Sequence, residues 1–256
     1  MRVRAVVVDY DGTIAGDQAA FNHPGLAAAF RTLREAGVLV VLNTGRDMDY
    51  TLGELGLSTP KDVAMFDAMI FEGGGLVWFA GELQPRPLTK LYSPELVQEL
   101  RRVKVPADEI WTGHCAVMTS RTHSKKVDRA IANVNARRSL AGRSPLLLEL
   151  TQNRNSITYL PPGINKGTAL IRVLSEHFHI PTTEILGAGD GTNDIAFLSL
   201  CGAAVVPVNG HPRVKSLRNA IHAKGENADG LVEVLREVIR NGMQIKAPDS
   251  AIREVA

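Results

Sequence analysis

Short apolar runs rich in β-branched residues alternate along this chain with longer segments that carry helix signals. VRAVVV (3–8), VLVVL (38–42) and EILGA (184–188) each stop at acidic residues, glycine or a polar turn. Runs of this length that are apolar throughout are typical of parallel strands buried on both faces. A helix of about 25–36 ends at Gly37, and the second strand follows directly. The alternation predicts an α/β fold with a doubly wound parallel sheet and helices on both faces.

A segment of different character interrupts this alternation. It follows LVWFA (76–80) and a proline-bearing stretch, and it reads as a basic helix near 123–138 with short strands around it. The β-α alternation resumes after the PPG turn, with helices expected over about 165–178 and 192–200. We therefore predict three parts, which are a first core part at 1–83, an inserted small α+β domain at 84–154 and a second core part at 155–256.

Charge is distributed unevenly between the insert and the rest of the chain. Residues 84–154 contain 13 Lys and Arg against 6 Asp and Glu, whereas the whole chain has a net charge of only +2. A basic insert on an acidic body would attract small anions, but a solvated helix face explains the same pattern equally well. No finger, basic-zipper or aromatic-interleaved basic pattern occurs, so we expect no nucleic-acid partner.

Membrane and secretion signals are missing from the sequence. No apolar run reaches the roughly 18 residues that a membrane helix needs, and the first residues lack a signal-peptide pattern. Cys115 and Cys201 match no metal-ligand or redox spacing and are expected to be ordinary buried thiols. We therefore expect a cytoplasmic protein without a membrane partner, either a monomer or a homodimer.

Polar clusters follow three of the predicted strands and open one predicted helix. DYDGT (9–13) follows the first strand, NTGR (43–46) follows the second, and GDGTND (189–194) follows EILGA. INKG (164–167) lies at a helix start. Because ligands of open parallel sheets bind beyond the carboxyl ends of the strands, we expect these clusters to meet at one crevice.

Asp9 and Asp11 stand two positions apart, so both side chains point to the same side of an extended segment. Neighbouring carboxylates repel, and unless a cation intervenes one of them tends to keep its proton, which supplies an anion and an acid in one site. Gly12 and Thr13 allow a tight turn whose N–H groups suit an anionic ligand. An Asx-type turn that merely ends the strand is the alternative for this motif alone.

The other clusters supply candidate metal and phosphate ligands. Asp190, together with Asp9, offers the hard oxygen ligands that Mg²⁺ prefers, although an N-cap aspartate in a glycine-rich turn would look alike. The hydroxyl of Thr44 and the ammonium of Lys166, near a helix N-terminus, suit a phosphate. Either residue alone would be unremarkable, and the order of all the clusters along the chain carries the information.

In combination, DYDGT, TGR, KG and GDGTND resemble motifs one to four of the haloacid dehalogenase superfamily. The resemblance covers about residues 3–239 and implies a Rossmann-like core. The position of the insert is similar to that of a type IIB cap, as in the Cof-like, sucrose-phosphatase-like and archaeal phosphoglycolate-phosphatase-like groups.

The resemblance implies a Mg²⁺-dependent phosphatase acting on a small anionic metabolite, either a sugar phosphate or a phosphoglycolate-like acid. It implies that Asp9 is the nucleophile that becomes an aspartyl phosphate, and that Asp11 protonates the leaving oxygen and then activates water. The other implied roles are phosphate binding by Thr44, Gly45 and Lys166, magnesium binding by Asp9, Asp190 and Asp11 through its carbonyl, and support from Asn193 and Asp194.

Basic side chains near the expected cleft are candidates for contact with the leaving group, because a cap of this type closes over the active site. Most basic residues of such a surface unit would be solvated side chains, which is the alternative. The candidates are Arg46 in the core and His114, Arg121, His123, Lys125 and Lys126 in the insert.

Two departures from the family pattern and two rival functions stay open. Tyr10 replaces a small or aliphatic residue, and FEGGG (71–75) replaces an asparagine-containing turn, which is expected to reshape the cap hinge or the substrate edge. A phosphomutase of the phosphomannomutase type is one rival, disfavoured because GDGTND is compact here. A non-catalytic ligand-binding member of the fold is the other, disfavoured because the matched acids and Lys166 are all retained.

Overall fold

Two sheets of unequal size organise the molecule. A computed structural model describes residues 1–16, 23–55, 65–89, 94–152 and 156–248. The strands are β1 (Ala5–Val8), β2 (Leu39–Asn43), β3 (Ala68–Phe71), β4 (Leu76–Phe79), β5 (Arg86–Pro87), β6 (Ile110–Thr112), β7 (Val117–Ser120), β8 (Glu149–Gln152), β9 (Ser156–Leu160), β10 (Ile185–Ala188), β11 (Ala203–Val206) and β12 (Ala220–His222). The α-helices are α1 (Pro24–Glu35), α2 (Met48–Leu55), α3 (Pro94–Arg102), α4 (Ser124–Leu140), α5 (Lys166–Leu170), α6 (Ile195–Leu198), α7 (Pro212–Lys215) and α8 (Asn227–Arg240).

The larger sheet has eight strands in the order β12-β11-β10-β1-β2-β3-β4-β5. The strands from β12 to β3 are parallel, and β4 and β5 add an antiparallel edge. The chain winds away from β1 in both directions, through β2 and β3 on one side and through β10 to β12 on the other. This order confirms the predicted doubly wound α/β fold.

Strand β1 explains why its sequence is apolar at every position. Val6 and Val8 point into a core shared with helices α1 and α8, whereas Ala5 and Val7 point into a second core shared with α5 and α6. Because both faces of the strand are covered, no position on it favours a polar residue. The LVWF segment forms β4 and is buried at all four positions.

The smaller sheet has four antiparallel strands in the order β6-β7-β9-β8. One face packs on α3 and α4 through apolar side chains such as Leu100 and Val127. Strand pairing assigns Arg86–Pro87 to the larger sheet and Ser156–Leu160 to the smaller one. Both limits of the predicted insert therefore move toward the C-terminus. The division at 154/155 lies outside the described residues, and the three-part division itself stays a prediction.

Several elements differ from the sequence prediction in extent. The helix expected over 165–178 begins as α5 and continues as a π-helical stretch, Ile171–His177. The helix expected over 192–200 is a 3₁₀ turn, Thr192–Asp194, followed by the single turn of α6. In the part of the chain that the structure describes, no helix has both the length and the apolar character needed to cross a bilayer.

Candidate active site

Three of the predicted polar clusters meet where neighbouring strands end. Asp9 follows β1, Thr44 follows β2 and Asp190 follows β10 after a single glycine, and these three strands are adjacent in the sheet. The chain reverses its winding direction between β1 and β10, which is where open α/β sheets bind ligands. The predicted convergence at one crevice is therefore found in the fold.

A buried lysine connects the acids of this crevice. Lys166 Nζ lies 2.5 Å from Asp9 Oδ1 and 2.6 Å from Asp194 Oδ1. Lys166 is only 2% exposed, and Asp194 is fully buried. Lys166 begins α5, which Asn165 caps by accepting hydrogen bonds from the N–H groups of Gly167 and Thr168. An ammonium has three hydrogens, so two ion pairs leave one for a further acceptor.

The pKa values of Lys166 and Asp9 are shifted by burial and by the surrounding charges. Burial lowers the pKa of Lys166, but the negative charges of Asp194 and Asp9 outweigh it and raise the pKa above its usual value, so the side chain is an ammonium. Burial and the charge of Asp194 raise the pKa of Asp9 well above its usual range, with Lys166 opposing and Asp190 adding to the shift. A cation beside Asp9 would therefore favour its ionised form.

The three acids of the crevice suit a divalent cation, but they differ in how many of their oxygens already accept hydrogen bonds. Carboxylate oxygens of Asp9, Asp190 and Asp194 lie within 4.8 Å of one another, and all three residues are buried. Asp194 already accepts hydrogen bonds on both oxygens, from Lys166 on Oδ1 and from the N–H groups of Asp190 and Gly191 on Oδ2. Asp9 and Asp190 are therefore the stronger candidates for metal ligands, whereas Asp194 is hydrogen-bonded to Lys166 and to its own loop.

Gly12 brings the loop after β1 against Asp190. Its φ of +74° suits glycine, and a Cβ at this position would overlap the Asp190 carboxylate. The carboxylate therefore lies directly against the peptide that follows Asp11. This close approach fits the expectation that the Asp11 carbonyl and Asp190 share one cation.

Arg46 forms a bidentate salt bridge with Asp11, the second acid of the DYDGT motif. Its Nε donates to Asp11 Oδ2 at 2.6 Å, and its Nη2 donates to Asp11 Oδ1. The guanidinium carbon lies 5.1 Å from the ring centre of Tyr10 and 4.5 Å from that of Tyr50. Tyr10 is fully buried, so its ring supports the guanidinium from the core side, a cation–π role that accounts for the unusual residue.

The loop after β2 offers donors for a phosphate. Thr44 is fully buried, and its hydroxyl oxygen accepts the N–H of Arg46 at 3.2 Å, so the hydroxyl can donate its own hydrogen to another oxygen. Gly45 lies between them and is partly exposed. Asn43 ties this loop to the lysine, because its amide donates to the Lys166 carbonyl at 3.1 Å. Asn193 is half-buried in the turn that precedes Asp194.

The basic candidates of the insert separate into two groups. His114 lines a cleft of about 140 Å³ between the smaller sheet and the start of α2. The remaining candidates lie beyond the other end of β7 and do not line this cleft. Among them, His123 pairs with Glu109 at 2.9 Å, Lys126 donates to the Lys104 carbonyl at 2.7 Å, and Arg121 and Lys125 are exposed.

Two residues of the site were not given a role from the sequence. Asn209 donates from Nδ2 to the Gly12 carbonyl at 2.7 Å and accepts the Asn227 N–H at 2.8 Å. Glu72 accepts three backbone N–H groups of the smaller sheet's first turn, residues 114–116. Glu72 directly follows β3 and Asn209 lies three residues after β11, so the strand-end rule that flagged Asp9 would have flagged both.

A comparison with known proteins fits this geometry. A family model described as haloacid dehalogenase-like hydrolase matches residues 115–235, which include Lys166, Asp190 and Asp194. Over these residues the chain is similar to the haloacid dehalogenase-like hydrolases. A phosphoglycolate phosphatase of Methanosarcina mazei is 27% identical over 250 residues, covering 94% of this chain and 99% of the relative.

Other proteins are similar over nearly the whole chain. A 5-amino-6-(5-phospho-D-ribitylamino)uracil phosphatase of Bacillus subtilis is 24% identical over 250 residues, covering 91% of this chain and 95% of the relative. A solved haloacid dehalogenase subclass IIB sugar phosphatase matches with a TM-score of 0.65 at 16% identity, covering 94% of this chain and all of that one. The predicted resemblance to this family and the predicted enzyme class of phosphatase are confirmed, and the solved structure shows the same fold. The smaller sheet with α3 and α4 is called the cap below.

Proposed function

We propose that the protein is a Mg²⁺-dependent phosphomonoesterase that hydrolyses a small phosphorylated metabolite through an aspartyl phosphate on Asp9. The observation that carries this proposal is the buried network in which Lys166 bridges Asp9 and Asp194 beside Asp190. Phosphoryl transfer needs charge neutralisation and in-line positioning above all, and this network places a cation beside the candidate nucleophile at one crevice.

In the first step, an Asp9 carboxylate oxygen attacks phosphorus while the bond from phosphorus to the leaving oxygen breaks. Asp11 gives its proton to that oxygen. The remaining Lys166 hydrogen, the Thr44 hydroxyl and the Gly45 N–H donate to the phosphoryl oxygens. Asp9, Asp190 and the Asp11 carbonyl would hold the metal, which neutralises phosphoryl charge when bound.

In the second step, Asp11 accepts a proton from water, and the water oxygen attacks phosphorus. The bond between phosphorus and Asp9 then breaks, which releases inorganic phosphate and restores both carboxyl groups. Splitting the reaction into two transfers lowers each barrier. For Asp11 to exchange protons, its paired contact with Arg46 has to open, and an anionic substrate that draws the guanidinium away would open it.

The cleft beside the site favours one of the substrate classes named for the relatives. Its described lining consists of Asp47, Met48, Asp49, Thr112, Gly113 and His114. Two carboxylates would repel the carboxylate of a phosphoglycolate-like acid but accept hydrogen bonds from hydroxyl groups. We therefore expect a neutral, hydroxylated leaving group, as in a sugar or polyol phosphate.

The test is release of inorganic phosphate from p-nitrophenyl phosphate and from a panel of sugar, polyol and acid phosphates, with and without Mg²⁺. The Asp9→Asn variant is expected to lose turnover by about 10³-fold or more, because the amide cannot act as nucleophile. Asp229→Asn, a surface carboxylate of α8 paired with His23, is the matched control. Metal-independent turnover, or no turnover on the whole panel, would contradict the proposal, and transfer between hydroxyls without phosphate release would indicate a mutase.

The cytoplasmic location and the choice between monomer and homodimer stay predictions.

A further inference from the structure

Glu72 is a fully buried carboxylate that the two-step reaction does not use. Its Oε1 accepts the His114 N–H at 2.7 Å, and its Oε2 accepts the Cys115 and Ala116 N–H groups at 2.7 and 2.8 Å. A buried charge is tolerated only when it is well paired or hydrogen-bonded. Here one core carboxylate satisfies three successive backbone donors of the cap, and such charge-assisted bonds are strong.

The backbone beside this carboxylate is joined to the phosphate-binding loop. The Glu72 N–H donates to the Arg46 carbonyl at 2.8 Å, and the Gly73 N–H donates to the Thr44 carbonyl at 3.0 Å. Glu72 has a φ of +55°, which is uncommon for a residue with a Cβ. Glutamate thus occupies a position where glycine would be less strained, which points to a role for the carboxylate itself.

Glycines on both sides permit this close contact between core and cap. A Cβ on Gly113 would overlap the Glu72 carboxylate, and a Cβ on Gly75 would lie 2.8 Å from Cys115 Cβ. A Cβ on Gly74 would lie 2.5 Å from the carbonyl oxygen of Asn165, the residue before Lys166. The Gly73–Gly75 run thus lets one segment pack against both the cap turn and the loop that carries the lysine.

The cap turn whose N–H groups bind Glu72 forms one wall of the leaving-group cleft. Thr112, Gly113 and His114 face the 47–49 segment, which directly follows Arg46. We propose that Glu72 is a positioning residue that sets the distance between the phosphate-binding loop and the cap turn, and thereby places His114 against the leaving group. The proposal rests on the proposed function in taking this cleft as the leaving-group site.

The experiment compares Glu72→Gln with Glu99→Gln. The first substitution keeps the shape of the side chain but presents an NH₂ group to a backbone N–H, whereas Glu99 is a buried cap carboxylate that binds Arg137 and Asn133 away from the cleft. Amide hydrogen exchange of residues 113–117 is expected to quicken about tenfold in Glu72→Gln, with 185–190 unchanged. KM for the best sugar or polyol phosphate is expected to rise about tenfold, with little change in kcat or in inhibition by inorganic phosphate.

Gly113→Ala is the second variant, because it displaces the turn while leaving Glu72 intact. It is expected to repeat the rise in KM and the faster exchange. Unchanged exchange at 113–117 in both variants would overturn the proposal, as would the same rise in KM in Glu99→Gln, which would assign the effect to loosening of the whole cap. If the wild-type protein turns over no phosphate ester, the proposed function fails, whereas the exchange result still decides whether Glu72 holds the turn.

Discussion

The core and the cap use charged residues in different ways. In the core, Lys166 forms ion pairs with Asp9 and Asp194 where almost no surface is exposed. In the cap, Glu99 pairs with Arg137, and Glu95 pairs with arginines of α4 and the turn after it, but these guanidinium groups remain partly in water. Four arginines of the insert are paired with the cap's own acids, and none of its described lysines and arginines lines the cleft.

This difference shows that net charge alone does not locate a binding site. The basic helix of the insert corresponds to the solvated face that was one of the two interpretations of its sequence. The cation with the strongest claim to a phosphate is a single lysine in the body of the molecule, and it is distinguished by its buried acidic neighbours. Similar substitutions made separately in the core and in the cap test this contrast.

The largest effect is expected from Lys166→Met. It leaves Asp9 and Asp194 without their shared cation, so we expect turnover to fall by about 10³-fold and the free energy of unfolding by about 3–5 kcal/mol. Because the folded-state pKa of Lys166 is raised, its stabilising charge is complete below its ordinary pKa and is lost only as strongly alkaline pH is reached. Phosphate release and urea unfolding at neutral pH measure both effects. Lys125→Met in the cap is the control, and an equal loss there would remove the distinction between the regions.

Addition of Mg²⁺ should stabilise the core and leave the cap unaffected. A cation between Asp9 and Asp190 relieves their repulsion and binds only the folded state, so saturation at a hundredfold excess over Kd is worth about 2.7 kcal/mol, or roughly 5–10 °C in Tm. Differential scanning fluorimetry with and without Mg²⁺ measures the shift. Asp190→Asn should abolish it and Glu95→Gln should not, and a shift that survives in Asp190→Asn would place the metal elsewhere.

Acidification should weaken the cap through Glu99. Hydrogen bonds from Arg137 and Asn133 hold the pKa of Glu99 below its usual value. A lowered folded-state pKa contributes stability that is present above the ordinary Glu pKa of about 4.3 and is lost as pH falls through the folded-state value. The Tm difference between wild type and Glu99→Gln should therefore shrink as the pH is lowered from about 6 to 3. Glu233→Gln on α8 is the exposed control, and a difference that persists in acid would show that Glu99 acts through packing.

The smallest effect is expected from neutralising the basic end of the cap. Lys125 is exposed and lies beyond the end of β7 that is remote from the cleft, so Lys125→Gln should change kcat/KM for sugar phosphates less than about twofold. Steady-state kinetics with the preferred substrate checks this. A large rise in KM would restore the interpretation that the insert attracts anionic substrates through its charge.

Much of the core and of its site could be predicted because their signals are local. Buried strands reveal themselves by short apolar runs, and the residues that follow them must lie at one edge of a parallel sheet, which brings Asp9, Thr44 and Asp190 together. The strands β5, β6 and β12 have two or three residues each, too few for any periodicity to be visible.

The contacts that escaped prediction join distant parts of the chain. Glu72 binds the turn after β6, and Asn209 binds the loop after β1, and no spacing rule links either residue to its partner. The charge of the insert was ambiguous for a related reason, since a count of Lys and Arg does not tell which of them Glu95 and Glu99 neutralise. Which residues contact each other depends on how the chain packs, and the order of residue types along the sequence specifies this packing only indirectly.

The pairing of β1 with β10 has a consequence for how the chain reaches this structure. Ala5 lies opposite Ile185, so the whole cap is synthesised between the two halves of this contact. Distant pairings close slowly, whereas the cap strands are neighbours in sequence and can assemble early. Until β10 arrives, β1 presents an open edge of the kind that invites pairing with other chains. The strand that carries Asp9 is therefore completed late, and the acids of the crevice come together only after the whole cap has been synthesised.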